Sequence, residues 1–160
     1  MRKLMITTLL LTSLATITGC VKKDDGPNGN ANLEHYTYTV QANQWYTYGE
    51  FGHSGWQYYH QFDVPEVTRD VMEKGAVMVY IKENDLFYPL PATTDYDGWV
   101  NTIQYNVYLG MVEVFVEDTD FQTDNPGPMV FKIVIFDQLK SLPPALDIKN
   151  YKQVLAYMNK

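Results

Sequence analysis

From Leu33 onward, apolar and polar side chains alternate along most of this chain. A period of two puts one face of a strand in a core and leaves the other to water. Tyr36, Tyr38 and Val40 alternate with threonines, and Trp45 to Phe51 reads as a second, aromatic strand. Glycines at 49, 52 and 55, with Ser54 among them, turn the chain. Trp56, Tyr58, His60, Phe62 and Val64 then share one face of a third strand, which Pro65 stops. Thr68 is placed to cap a short helix running to Lys74, with Gly75 as its left-handed C-terminal residue. Ala76 to Lys82 sends Val77, Val79 and Ile81 one way and Met78 and Tyr80 the other. Glu83-Asn84-Asp85 turns into Leu86 to Leu90, an edge segment because Pro89 and Pro91 have no N–H for a ladder. Ala92 to Gly98 reads as a turn. Residues 102–117 read as a hairpin about Gly110, with Ile103, Tyr105, Val107 and Leu109 on one arm and Val112, Val114 and Val116 on the other. An acidic loop, Glu117 to Pro128, precedes Val130 to Phe136, which is almost continuously apolar. Pro143 and Pro144 introduce a last helix with Asp147 as its cap. Its stripe of Ile148, Tyr151, Leu155 and Met158 suits docking against a sheet. The pattern predicts one all-β domain over residues 33–160. The expected fold is an immunoglobulin-like or related β-sandwich with a short internal helix and a C-terminal helix.

The first 32 residues follow another pattern. Arg2 and Lys3 precede an apolar run from Leu4 to Leu14, and Ile17-Thr18-Gly19 leads into Cys20. A basic start, an apolar stretch and small residues at the end make a secretory signal. Ending on a cysteine, this one resembles the lipobox of bacterial lipoproteins, with cleavage after Gly19 and lipid on Cys20. The run to Thr18 falls short of the roughly 20 apolar residues of a membrane span. The alternatives are an ordinary secretory leader cut elsewhere and an N-terminal membrane helix. Residues 20–32 then form a lipidated tether, charged at Lys22-Lys23-Asp24-Asp25 and rich in Gly and Asn beyond. Lys23-Asp24-Asp25 resembles the acidic export signal that sends lipoproteins of Bacteroidota-type bacteria to the outer face of the outer membrane; a generic solvated linker is the other reading. The chain is expected in the outer membrane, facing the exterior, with the periplasmic face as the alternative. Gly26-Pro27-Asn28-Gly29-Asn30-Ala31 makes two Gly-X-Y triplets, too few for a triple helix.

Charge and cysteine narrow the chemistry. The formal net charge is −7, and the leader removes two basic residues and no acid, leaving the mature chain more acidic still. Nucleic acid and anionic lipid surfaces recruit clustered Lys and Arg, so no nucleic-acid partner is expected. Cys20 is the single cysteine, and lipidation would consume it, leaving no disulfide, thiol nucleophile or thiolate metal site. No cofactor is expected. With 13 tyrosines, aromatic residues reach 14% of the chain, and that richness directs attention to the strands.

Several segments together resemble a group of uncharacterised lipoproteins of Bacteroidota-type bacteria, some with collagen-like stalks. They are Gly29-Asn30-Ala31-Asn32, Val40-Gln41-Ala42-Asn43-Gln44-Trp45, Phe62-Asp63-Val64-Pro65, Thr68-Arg69-Asp70-Val71, Gly75-Ala76-Val77-Met78-Val79-Tyr80, Leu90-Pro91 and Phe131-Lys132-Ile133-Val134-Ile135. The resemblance spans most of the mature chain. It implies a small all-β surface or periplasmic domain and brings no catalytic residues to carry over. A long stalk is where this chain departs from the pattern.

Candidate chemistry divides on spacing. Gly52-His53-Ser54-Gly55 approaches a nucleophile elbow, but Trp56 stands where the second glycine belongs and the segment joins two strands. His53, His60 and Asp63 fall on a turn and on opposite strand faces, a poor metal set. Glu113 and Glu117 share a strand face about 13 Å apart at roughly 3.3 Å per residue, beyond the roughly 5 to 9.5 Å of a glycosidase pair. Asp118, Asp120 and Asp124 are oxygen-rich without calcium-loop spacing, and no metal site is assigned. The aromatics crowding residues 45–59 offer more. Alternation turns about half of them outward, where flat rings stack on sugar rings or on apolar peptide groups. Trp45, Tyr46, Tyr48 and Tyr59 are the candidate ligand-binding set for a glycan or protein. The expected function is a non-enzymatic, lipid-anchored binding or surface-structural module, with an envelope-polymer hydrolase or metal-assisted enzyme as the alternative.

Overall fold

The computed structural model describes residues 22–23, 33–96 and 99–159. The leader, Cys20, the Gly-X-Y triplets and the tether apart from Lys22–Lys23 lie outside the described residues. Two antiparallel sheets face one another. The first has the order β1-β2-β10-β5-β6: β1 Lys22–Lys23, β2 Leu33–Val40, β10 Met129–Phe136, β5 Ala76–Glu83 and β6 Leu86–Pro89. The second has the order β3-β4-β9-β8-β7: β3 Tyr46–Tyr48, β4 Gln57–Asp63, β9 Met111–Asp118, β8 Trp99–Tyr108 and β7 Ala92–Tyr96. This is an all-β sandwich of the related rather than the immunoglobulin kind. An immunoglobulin sandwich puts its first and last strands in different sheets, whereas β2 and β10 pair directly, Leu33 opposite Phe136 and Val40 opposite Met129.

The alternation decides which side chains meet between the sheets. Tyr36, Tyr38 and Val40 from β2, Val79 and Ile81 from β5, and Phe131, Ile133 and Ile135 from β10 face Phe62 from β4, Ile103 from β8, and Val112, Val114 and Val116 from β9. Each large aliphatic or phenyl side chain buried this way contributes about 1.5–3 kcal/mol. Tyr105 spans the layer, its hydroxyl donating to Val77 O at 3.1 Å.

The continuous apolar run of β10 has a structural cause: the strand is buried on both faces. Its second face, Val134 and Phe136, joins Leu33, Met78, Tyr80, Val154 and Met158 in a separate cluster beneath the C-terminal segment. That segment ends in α2, Tyr151–Met158. The Tyr80 hydroxyl donates to the Ile148 carbonyl and ties the segment down. Lys132, within the same face, is buried with its ammonium 5.3 Å from the Phe87 ring centre and 5.9 Å from that of Tyr151.

Several local expectations are corrected. Thr68 does cap α1, Arg69–Lys74, accepting from Val71 N. Gly75, however, is extended, not left-handed. It is glycine because a Cβ there would run into Phe136 O and lie 2.9 Å from Asp137 O and Val71 O. Residues 92–96 form a strand rather than a turn, with Ala92 opposite Ile103 and Tyr96 opposite Trp99. The strand begun at Trp45 is shorter than expected, because Ala42–Gln44 winds into a 3-10 turn and pairing starts at Tyr46. Asn150, not Asp147, caps α2 by accepting from Gln153 N, while Asp147 accepts from Lys149 N in the turn before it. Val154 rather than Leu155 then faces the sheet, with Leu155 exposed.

The buried phenols are shifted. Burial, followed by the neighbouring carboxylates Glu66 and Asp63, pushes Tyr38 up to about 12. Burial also raises Tyr36, whose hydroxyl donates to Glu34 at 2.6 Å, and burial raises Tyr80 and Tyr105. The neutral phenol is the form that the folded state favours. Its stabilisation is complete below the ordinary phenol value of 10.0 and is lost as pH rises through the folded value. The midpoint of urea unfolding is expected to fall from about pH 10 upward, and Tyr38→Phe is expected to reduce that slope. An unchanged slope in the variant would assign the loss to other groups. Gly75→Ala is expected to destabilise by roughly 2–4 kcal/mol, measured by urea unfolding; a cost near that of an exposed Gly→Ala change would contradict the clash.

Candidate functional site

The two sheets are covered unequally. The C-terminal segment lies over the outside of the first sheet, while the outer face of the second carries no such layer among the described residues. Pairing orders the side chains on that face. With Val112, Val114 and Val116 inward, Met111, Glu113, Phe115 and Glu117 of β9 point outward. One row crosses four strands as Tyr46, Tyr59, Phe115 and Gln104. The next crosses as Gln61, Glu113 and Asn106. On the other side Tyr48 stands opposite Gln57.

Tyr46 and Tyr48 are 62% and 65% exposed. Tyr59 is half-buried because Tyr46 leans on it, ring centres 5.8 Å apart and planes at 35°. Two amide–carboxylate bonds brace the face, one beside the row and one from its end: Gln61 Nε2 donates to Glu113 Oε2, and Gln104 Nε2 to Glu117 Oε1, both at 2.8 Å. Each bond holds a planar polar group against the sheet and leaves the carboxylate further lone pairs to offer. The face therefore presents flat rings beside fixed acceptors and amides.

Three of the four candidate aromatics come together here. Trp45 does not. It is 7% exposed, its ring packs edge-on against His60 and Phe131, and its indole N–H donates to Gly127 O at 2.7 Å. Trp45 is a core residue and leaves the ligand-binding set. Phe115 takes its place in the row. Its outward position was legible from the three alternating valines around it, although a phenylalanine within an apolar run attracts no notice.

The other candidates disperse. His53 is exposed in the β3–β4 turn, 3.8 Å from Glu50. The His60 ring shares a hydrogen bond of 2.8 Å with Gln44 O and packs on Phe62 inside the sandwich, while Asp63 is exposed. Among the described residues, no three His, Cys, Asp or Glu side chains gather to hold a metal ion. Ser54 lies in a turn whose glycines at 49, 52 and 55 all have positive φ. Gly49 has a second constraint there, since a Cβ would approach Gly55 O to 2.5 Å. The acidic loop closes one end of the sandwich. It is pinned by Trp56 Nε1 to Thr123 O at 3.1 Å, Asn125 Nδ2 to Ala42 O at 2.9 Å and Gly52 N to Phe121 O at 2.8 Å.

Fold and face together define a β-sandwich with one sheet capped and the other open, the open one bearing an aromatic row. No protein-family model, curated protein or solved structure matches the chain. No described helix is long and apolar enough to cross a membrane.

The Tyr46–Tyr59 contact is a cross-strand pair near solvent, for which about 0.2–1 kcal/mol of coupling is expected. A double-mutant cycle with Tyr46→Ala and Tyr59→Ala, read by urea unfolding, measures it. Coupling well above that range would make the pair a structural element rather than an available surface.

Proposed function

We propose that this chain is a non-enzymatic, lipid-anchored lipoprotein of the outer membrane that holds a glycan against the outer face of its β3-β4-β9-β8-β7 sheet. The observation that carries the reading is the row Tyr46–Tyr59–Phe115 on the sheet left uncovered. A pyranose ring has an apolar face and a rim of hydroxyls. Tyrosine rings take the first, and Gln61, Glu113, Gln104 and Asn106 at the neighbouring positions suit the second. A protein partner would be better served by a denser apolar patch without polar groups alternating through it. The anchor rests on Arg2, Lys3, the apolar run and Ile17-Thr18-Gly19 before Cys20, and the resemblance to Bacteroidota-type lipoproteins points the same way. Stable attachment follows from acyl chains that contribute about 0.8 kcal/mol per buried CH₂. The mechanism is display: lipid fixes the position, the tether gives reach, and the sheet meets the ligand.

The test has two arms. Protease applied to intact cells is expected to remove the domain while a periplasmic control protein survives, and Cys20→Ser is expected to release the chain from the membrane fraction. The full chain is expected to be retarded in gels containing at least one polysaccharide of a neutral and acidic panel, with retardation reduced about tenfold, roughly 1.4 kcal/mol, by Tyr59→Ala. Protection of the domain in intact cells would place it in the periplasm. Retardation equal in the wild type, Tyr46→Ala and Tyr59→Ala would remove the face from the proposal.

A further inference from the structure

Charge is spread unevenly over this sandwich. The formal net charge is −7, yet the sequence from 137 to 160 holds four lysines against two aspartates. The described part of that segment lies over the outside of the first sheet, with Lys140, Lys149 and Lys152 exposed. The opposite, open face carries Glu113 and Glu117 instead.

A groove runs between edge strand β6 and α2. Leu86, Tyr88, Tyr151 and Leu155 line it, with Lys149 and Lys152 beside them. Leu86 is 60%, Tyr88 43% and Leu155 40% exposed. Asp85 and Asp147 line it too. Lys82 pairs with Asp85 at 2.8 Å, and Asp147 accepts from Lys149 N. Among the described residues neither Lys149 nor Lys152 is in an ion pair, so two lysines stand against Asp147 alone. Exposed hydrocarbon, a tyrosine ring and long lysine stems suit the boundary between acyl chains and anionic headgroups. There the hydrocarbon enters, the ring sits at the interface and the stems reach back to phosphate.

The chain also brings such a surface near. β1 pairs with β2 through Lys22 opposite Thr37 and Lys23 opposite Tyr36. On the lipid-anchor reading of Cys20, connectivity holds the acylated residue within about 7 Å of that strand. β1 and β6 are the two edges of the same five-stranded sheet, about 19 Å apart at roughly 4.8 Å per strand. A plane touching both edges meets the C-terminal segment and has the second sheet behind it.

We infer that the β6–α2 groove, with the lysines of the C-terminal segment, docks on the anionic lipid surface in which Cys20 is anchored. The inference rests on the anchor reading and sharpens it. Pairing of β1 shortens the reach of the tether, and docking turns the row Tyr46–Tyr59–Phe115 away from lipid and toward a ligand.

Hydroxyl-radical footprinting of the lipidated chain tests this, in vesicles of phosphatidylcholine alone and of phosphatidylcholine and phosphatidylglycerol in equal parts. Oxidation of Tyr88 and Leu155 is expected to fall about threefold or more in the anionic vesicles and to recover in high salt. Tyr46 and Tyr48 are expected to be oxidised equally in both. A Lys149→Glu, Lys152→Glu double variant is expected to lose the protection and keep its urea midpoint, since both side chains are exposed. Tyr59→Ala is expected to keep the protection, so failure of the glycan reading is a separate result. Equal oxidation in the two vesicles, protection that survives the charge reversal, or protection of Tyr46 and Tyr48 instead would overturn the inference. Protection that grows with protein concentration in neutral vesicles would also overturn it, giving the groove to a second copy of the chain. A chain found by mass to carry no acyl group would overturn the anchor reading and this inference together, whereas an acylated chain with an open groove overturns this inference alone.

Discussion

Strand β10 must be buried on both of its faces, and most of the architecture answers that requirement. Phe131, Ile133 and Ile135 fill the layer between the sheets, while Val134 and Phe136 emerge on the opposite side. Left exposed, that second face would be an apolar patch at the centre of a sheet. The chain after β10 returns over it, pinned through Tyr80 and Ile148 and sealed by Val154 and Met158. Flanking β2 and β5 share the cover, through Leu33 on one side and Met78 and Tyr80 on the other. Even the helix-to-strand junction answers to β10, since Gly75 lacks a side chain where the Phe136 and Asp137 carbonyls pass.

Covering one sheet with the C-terminal segment leaves the other sheet to solvent, and the chain adapts to that in its composition. Strands β4, β8 and β9 alternate apolar side chains inward with Gln, Glu, Asn and aromatic side chains outward. Amides and carboxylates pair across strands and keep the face soluble, while the tyrosines stay where cross-strand contact supports them. Edge strand β3 is short, Tyr46–Tyr48, which limits open backbone for unwanted pairing. Exposed rings at such an edge are a solubility cost, and the glycan contact proposed above is one that accounts for it.

Much of the fold was legible because alternation is a local signal that burial enforces. The strands at β2, β4, β5, β8, β9 and β10 follow from it, and the Thr68 cap follows from an equally local signal, a hydroxyl side chain just ahead of a helix. The rest depended on partners remote in sequence. Ala92-Thr93-Thr94-Asp95-Tyr96 has few apolar residues, and pairing with β8 makes it a strand; its threonines were the available hint. Gly75 looked like a helix terminator because a contact with a carbonyl some sixty residues away has no local trace. Asp147 and Asn150 are both good caps, and their choice rests on where the chain turns after Pro143 and Pro144. The candidate face was half legible: Tyr46, Tyr48 and Tyr59 were placed outward by parity, and the same parity turns Trp45, the neighbour of Tyr46, inward to the core, so its richness in ring surface had outweighed its position.

The acidic loop shows how one segment can serve the core and a surface together. Its backbone accepts from Trp45 and Trp56, two rings whose indole N–H groups each need a partner when buried or half-buried. Those bonds explain why Gly127 and Thr123 sit where they do, and they hold the loop across the end of the sandwich. Asp120 and Asp124 of the loop, with Asp118 at the end of β9 and Glu83, then line a cleft of about 620 Å³ to which no Lys, Arg or His contributes among the described residues. Repulsion between these charges is tolerable because they face open water. The tryptophans that keep the loop in place thus also fix where its carboxylates stand, which links the packing of the aromatic first half of the domain to the charge at its acidic end.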